Sequence, residues 1–226
     1  MSVTGESDYR IRIGHEVRKR LEGAPNALKI DSYDLDMFIV RDFLDHADCD
    51  TLVAMIDANR TPSKLLSPSA DPDFRTSDSC NLDPFDPFVQ KIEAKIAGLL
   101  GIEPSHGETM QGQRYAPGQR FKLHHDFFET HQPYWEEMAR CGGQRTWTAM
   151  IFLNHVEGGG ETGFPRISVK VTPRKGNMLV WNNLNIIGEP NYFSLHEGMP
   201  VTAGTKYIIT KWHRERPWTY CTAQVY

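Results

Sequence analysis

The stretch TWTAMIFLNHVEGGGETG (residues 146–163) carries the fold. It reads as a strand that runs into a glycine-rich turn. Two later stretches repeat the pattern. NMLVWNNL (177–184) follows the turn PRKG, and KYIITKWHR (206–214) follows TAG. Short strands punctuated by Gly and Pro, without a βαβ rhythm, predict a sandwich, barrel or jelly roll from about Gln111 onward.

Upstream the character is helical. Ile13, Val17 and Leu21 recur at helical spacing. In FLDHADCDTLVAMIDANR (43–60), Asp45 is the expected cap, with Cys49, Leu52, Val53 and Ile56 on one face. In DPFVQKIEAKIAGLLG (86–101), Asp86 caps and Pro87 occupies the first turn. There Val89, Ile92, Ile96 and Leu99 form the stripe, and Gly101 stops the helix. These stripes are read as core packing. Between the two helices lies TPSKLLSPSADPDFRTSDSCNLDP (61–84), a long Pro/Ser/Asp-rich loop of the kind that serves as a lid.

The bulk numbers narrow the function. The chain has 226 residues, 39% hydrophobic and 24% charged, with a formal net charge of −4. That size supports a full core, and the charge gives no reason to expect nucleic acid or anionic membrane as a partner. The basic triplet Arg18–Arg20 is expected to be a solvated helix face. No stretch approaches the ~20 apolar residues of a membrane span, and the N-terminus lacks a signal-peptide apolar region. Cys49, Cys80, Cys141 and Cys221 are scattered without CxxC spacing, which favours reduced thiols and a cytoplasmic location.

The chemistry starts in GQRFKLHHDFF (118–128). Residues i and i+2 of a strand share a face, so His124 and Asp126 converge while His125 turns away. An imidazole and a carboxylate on one face suit a divalent metal, but a third ligand is needed. His131, His155, His196 and His213 are the candidates. His155 ends a strand at a turn, and His213 belongs to the expected outer face of the last strand. His196, in SLHEGMPV, has neighbours that suit an inward-facing strand. Two histidines and one carboxylate form the facial triad of non-haem Fe(II) oxygenases, which leaves coordination positions open. A dicarboxylate co-substrate chelating there would need a buried cation at its far end. Lys206 answers that need, because it leads an inward face otherwise made of Ile208, Thr210 and Trp212. A lysine in that place is costly unless an anion meets it.

QRYAPGQRFKLHHDFF, RTWTAMIFLNHVEGGGETGFP, VTPRKGNMLVW and SLHEGMPVTAGTKYIITKW together resemble the prolyl 4-hydroxylase-like 2-oxoglutarate/Fe(II) dioxygenases, of the bacterial, soluble type. The loop FRTSDSCNL resembles the Arg-Thr-Ser segment of the same family. The resemblance implies a double-stranded β-helix (jelly-roll) core with flanking α-helices packed on it. One domain would span 1–226, with a helix-rich support and lid loop over 1–105 and the catalytic core over 106–216. It implies iron held by His124, Asp126 and His196, and 2-oxoglutarate on the metal with its distal carboxylate at Lys206. Tyr115, Thr162 and Trp212 would line the co-substrate pocket. Arg145, with Arg75, Thr76 and Ser77 in the lid, would bind substrate.

The implied reaction hydroxylates an unactivated C–H with O2, giving succinate and CO2, and its implied target is C4 of a proline in a protein or peptide. Ascorbate is expected to support turnover, and the protein to be a monomer or homodimer. Three positions depart from the family pattern: Phe121 replaces a frequent Tyr, Asn191 lies where an aspartate is common, and Glu197 follows the distal histidine where a small residue is usual. The alternatives are the same chemistry on a free amino acid, small molecule or nucleobase, a non-catalytic cupin-like metal-binding protein, and a zinc hydrolase.

Overall fold

A computed structural model describes residues 3–67 and 69–218. Its helices are α1 (Val3–Gly23), α2 (His46–Asn59), α3 (Pro87–Leu100) and the short α4 (Trp135–Arg140). The strands of the N-terminal half are β1 (Ala27–Lys29), β2 (Met37–Val40), β3 (Thr61–Pro62), β4 (Asp78–Asn81), β5 (Gln111–Tyr115) and β6 (Phe121–His124). Those that follow are β7 (Arg145–Phe152), β8 (Gly158–Gly159), β9 (Thr162–Phe164) and β10 (Val169–Val171). The last are β11 (Met178–Asn182), β12 (His196–Gly198), β13 (Val201–Ala203) and β14 (Lys206–Arg214).

The strands build a large sheet in the order β1-β2-β11-β7-β14-β5-β4-β3 and a smaller one in the order β10-β9-β12-β6, with β13 paired to β8. All pairings are antiparallel. The two sheets are the walls of a double-stranded β-helix. β7 is buried along its whole length because both of its faces are covered. Trp147, Ala149 and Ile151, together with Met178 and Val180 of β11, meet the helices. Met150 and Phe152, with Leu179, Trp181 and Ile208, point between the sheets. The period of two thus sorts one strand into two cores. The glycine run EGGG permits the sharp turn beside β8. Gly159 has φ 67, and a Cβ there would lie 2.3 Å from the Pro200 carbonyl oxygen.

The helices meet the outer core with the anticipated residues. Ile13, Val17 and Leu21 of α1 are buried. Asp45 caps α2 by accepting from the Asp48 N–H, and Cys49, Leu52 and Ile56 are buried. Asp86 caps α3, and Gly101 ends it in the left-handed conformation. The α3 stripe needs one correction: its last buried member is Leu100, and Leu99 is only partly covered. Among the described residues, no helix is long and apolar enough to cross a membrane.

Other expectations change. The 61–84 segment contains two strands, β3 and β4, which extend the large sheet at one edge. His213 is buried, not on an outer solvent face. α1 and the 104–106 turn cover that side of β14, where the Tyr9 hydroxyl meets His106 and the His106 ring meets the Arg214 carbonyl. Cys49 and Cys80 are free thiols, but Cys141 is disulfide-bonded, so the expectation of reduced thiols fails at that position. Cys221 lies outside the described residues.

Candidate metal centre and active site

β6 and β12 are neighbours in the small sheet, and their register pairs His124 directly with His196. The ring centroids are 4.2 Å apart. Each ring is oriented by its Nδ1 atom, which meets the Lys122 carbonyl at 2.7 Å for His124 and the Ser194 carbonyl at 2.9 Å for His196. Carbonyls only accept, so Nδ1 carries the proton and the Nε2 lone pairs are free to ligate. Phe121 stacks on the other face of His124 with centroids 3.6 Å apart.

Asp126 joins them by a different route from strand parity. β6 ends at His124, and Asp126 occupies a bend beyond it. Its Oδ1 lies 3.8 Å from His124 Nε2 and its Oδ2 3.9 Å from His196 Nε2. One donor atom from each of the three residues lies within 4.8 Å of the others. Burial pulls the His124 imidazolium down to about 3, reinforced by His196. Burial works against ionisation of Asp126, but His196, His124 and Arg145 outweigh it, with Trp212 adding its dipole, and hold the carboxyl below the usual range. Two imidazoles with their Nε2 atoms free and one carboxylate are a donor set that suits ferrous iron.

A narrow inner pocket leads away from this triad between the sheets, and Lys206 stands in its wall with Tyr115, Thr162 and Trp212. Lys206 is 1% exposed, and burial lowers its ammonium to about 7 against the opposing pull of Glu161. Its hydrogen bond to Thr162 Oγ1 is long, at 3.5 Å, and Tyr115 and Phe152 present ring faces 5.4 and 5.7 Å away. A buried cation so weakly satisfied fits the distal carboxylate of a bound dicarboxylate. Tyr115 itself donates to Gln113 Oε1 at 2.7 Å.

On its other side the triad opens into a cavity of about 390 Å3, bordered by loop residues 64–67, Phe74 and Arg75 and by Phe127, Phe128 and Tyr134. Arg145 lines it, but its guanidinium is committed. Glu108 takes Nε and Nη2 at 2.6 and 2.7 Å, and the group lies over Trp212 and Phe128. It reaches this position through an irregularity in pairing. The register passes from Trp212↔Thr148 to Arg214↔Arg145, so β7 holds one extra residue there. Arg75 also lines the cavity, stacked over Phe121 and bonded to Gln111 Oε1 at 2.9 Å. Thr76 and Ser77 do not line it. Thr76 ties the loop to Arg120 through both N–H and hydroxyl, and Ser77 is buried against Ser63. His125 is half-buried and packs against Phe127 and Tyr192.

The positions that depart from the family pattern have local duties. Asn191 caps the 192–194 turn through the Phe193 N–H and donates to the Asp34 carbonyl. Glu197 is paired with Gly163 on β12, which lies between β9 and β6 in the small sheet. Sequence reasoning missed Glu108, which also binds Arg214 at 2.6 Å, and missed Thr148 and Asn183. Thr148 had a legible signal, a polar residue at inward parity with Met150 and Phe152.

Residues 110–214 match the 2OG-Fe(II) oxygenase superfamily. The chain is 31% identical over 180 residues to a putative prolyl 4-hydroxylase of Acanthamoeba polyphaga mimivirus, covering 79% of this chain and 74% of that one. It is 30% identical over 209 residues to probable prolyl 4-hydroxylase 8 of Arabidopsis thaliana, covering 82% and 70%. Among solved structures, the 2-oxoglutarate complex of a viral collagen prolyl hydroxylase from Paramecium Bursaria Chlorella virus-1 superposes with a TM-score of 0.63 at 27% identity, covering 79% of this chain and 95% of that one. This chain belongs to the prolyl 4-hydroxylase-like 2-oxoglutarate- and Fe(II)-dependent dioxygenases.

Proposed function

We propose that this protein hydroxylates C4 of a proline within a polypeptide, consuming 2-oxoglutarate and O2 and releasing succinate and CO2. The observation that carries the reading is the placement of a two-His, one-carboxylate cluster between a lysine-bearing inner pocket and an open, aromatic-walled cavity. The first suits a small dicarboxylate, and the second suits a chain that approaches from solvent.

In this reading His124, Asp126 and His196 hold the iron, which with 2-oxoglutarate and O2 supplies the oxidising chemistry. Lys206 pairs with the distal carboxylate, and Thr162, Tyr115 and Trp212 shape the pocket around it. Burial excludes water from the Lys206 contact and so strengthens it. Arg145, held rigid by Glu108, presents a flat cationic wall to the substrate backbone. Arg75 faces the substrate from the lid, while Thr76 and Ser77 anchor that lid from behind. Ascorbate supports turnover by keeping the iron ferrous. Residues 106–216 form the catalytic core of one domain that 1–105 supports.

The test is mass spectrometry of proline-containing peptides after incubation with enzyme, Fe(II) and 2-oxoglutarate, looking for one added oxygen on proline. Wild type should add it, whereas His124→Ala and Lys206→Ala should not. Turnover surviving in His124→Ala would overturn the metal assignment. Succinate formation with no modified proline would redirect the substrate to a free amino acid or small molecule.

A further inference from the structure

His124 and His196 lie on paired strands, and each is pinned through Nδ1, but Asp126 sits in a bend that no sheet ladder holds. Its carboxylate is fixed by a side-chain relay instead. The Thr148 hydroxyl donates to Asp126 Oδ2 at 2.8 Å, and Asn183 Nδ2 donates to Thr148 Oγ1 at 2.9 Å. Both residues are fully buried, at 0% exposure. The relay has one possible direction. An ionised carboxylate only accepts, so Thr148 must give it its single proton and then accept from the amide N–H behind it. The backbone holds Asn183 in turn, its N–H donating to the Thr146 carbonyl at 2.7 Å and its carbonyl accepting from the Asn191 N–H at 2.9 Å.

We propose that Thr148, backed by Asn183, is a positioning residue that holds Asp126 through Oδ2 and reserves Oδ1 for the metal. A carboxylate free to turn can ligate through both oxygens, which uses a coordination position that co-substrate or O2 requires. Held by one oxygen, it ligates through the other. The proposal rests on the metal-site reading and is independent of what substrate the enzyme accepts.

The experiment measures Co(II) binding to metal-free protein by calorimetry, together with the visible absorption spectrum of the Co(II) form, without co-substrate. Thr148→Val keeps the shape and removes the hydroxyl. It should weaken Co(II) binding about 10- to 100-fold and alter the spectrum, while Thr148→Ser should stay within about threefold of wild type. Asn183→Leu should weaken binding by less than Thr148→Val. The inference is overturned if Thr148→Val matches wild type in affinity and spectrum, or if Thr148→Ser is as weak as Thr148→Val, which would make the effect one of packing. Should Thr148→Val not fold, Asn183→Leu decides, and affinity equal to wild type refutes the relay. Absence of Co(II) binding by wild type would instead overturn the metal site itself.

Discussion

In the proposed function, Lys206 is where co-substrate binding and folding stability pull in opposite directions. The perturbation is Lys206→Met, which keeps the length of the side chain and removes its charge. Burial carries the ammonium from 10.5 to about 7. At about 1.4 kcal/mol per tenfold change in acidity, that drop means the folded protein loses on the order of 5 kcal/mol below pH 7 by keeping a charged lysine there. Because the folded value lies below the unfolded one, the unfolded chain holds the extra proton between pH 7 and 10.5. Wild-type stability should therefore climb relative to the variant across that window, and the variant should be the more stable protein below it. Co-substrate affinity should move the other way. Removing one partner of a buried charge pair costs about 2–5 kcal/mol, so 2-oxoglutarate should bind Mn(II)-loaded Lys206→Met roughly 30-fold to several thousand-fold more weakly. Urea unfolding of metal-free protein at pH 6 and 9.5 reads the first effect, and calorimetry reads the second. If both proteins unfold with the same pH dependence while 2-oxoglutarate binds them equally, the view of Lys206 as a buried cation awaiting an anion is wrong.

Three further outcomes follow from the geometry. His124→Ala should abolish divalent-metal binding, while His125→Ala, whose ring packs on Phe127 and Tyr192, should leave Mn(II) affinity nearly unchanged in the same titration. Glu108→Ala leaves Arg145 and Arg214 buried without their shared carboxylate, so urea unfolding should show a loss of about 3–5 kcal/mol. Burial, with Lys211 beside it, holds His213 at about 3 in the folded protein, below its unfolded value of 6.5. Folding stability should consequently fall as pH drops from 6.5 towards 3, and His213→Gln should lower that slope by up to about 1.4 kcal/mol per pH unit.

Much of the fold was legible because burial writes itself into periodicity. The 13/17/21 spacing, the Asp45 and Asp86 caps and the 206/208/210/212 alternation are local patterns, and the structure keeps each of them. The misreadings arise where a distant element intervenes. Parity placed His124 and Asp126 on one strand face, but the strand stops at His124 and a bend brings Asp126 in. His213 looked outward because its own strand is polar there, but Gly107 pairs with it and the adjoining 104–106 turn lies against that end of β14, which leaves it buried. Arg145 was named for the substrate groove, yet its commitment to Glu108 spans 37 residues of sequence and leaves no local trace. In the 61–84 loop, Arg75, Thr76 and Ser77 form one sequence motif, but their contacts divide them, with Arg75 lining the cavity while Thr76 bonds Arg120 and Ser77 bonds Ser63.

The way the lid is tied has a consequence for how such an enzyme diversifies. Thr61↔Ser79 and Pro62↔Asp78 pair as adjacent strands, and the Ser63 N–H reaches the Ser77 carbonyl at 2.9 Å, so the loop leaves and re-enters the sheet through a closed neck. Asp71, Phe74, Arg75 and Thr76 are tied to residues 120–122, so the stretch between 64 and 71 is the part that can lengthen, shorten or change composition without moving that neck. The entropic toll of doubling such a loop is only about 0.6 kcal/mol. In the proposed function, that stretch is an exchangeable part of the cavity wall, and rewriting it would change what the cavity accepts while His124, Asp126 and His196 stay untouched.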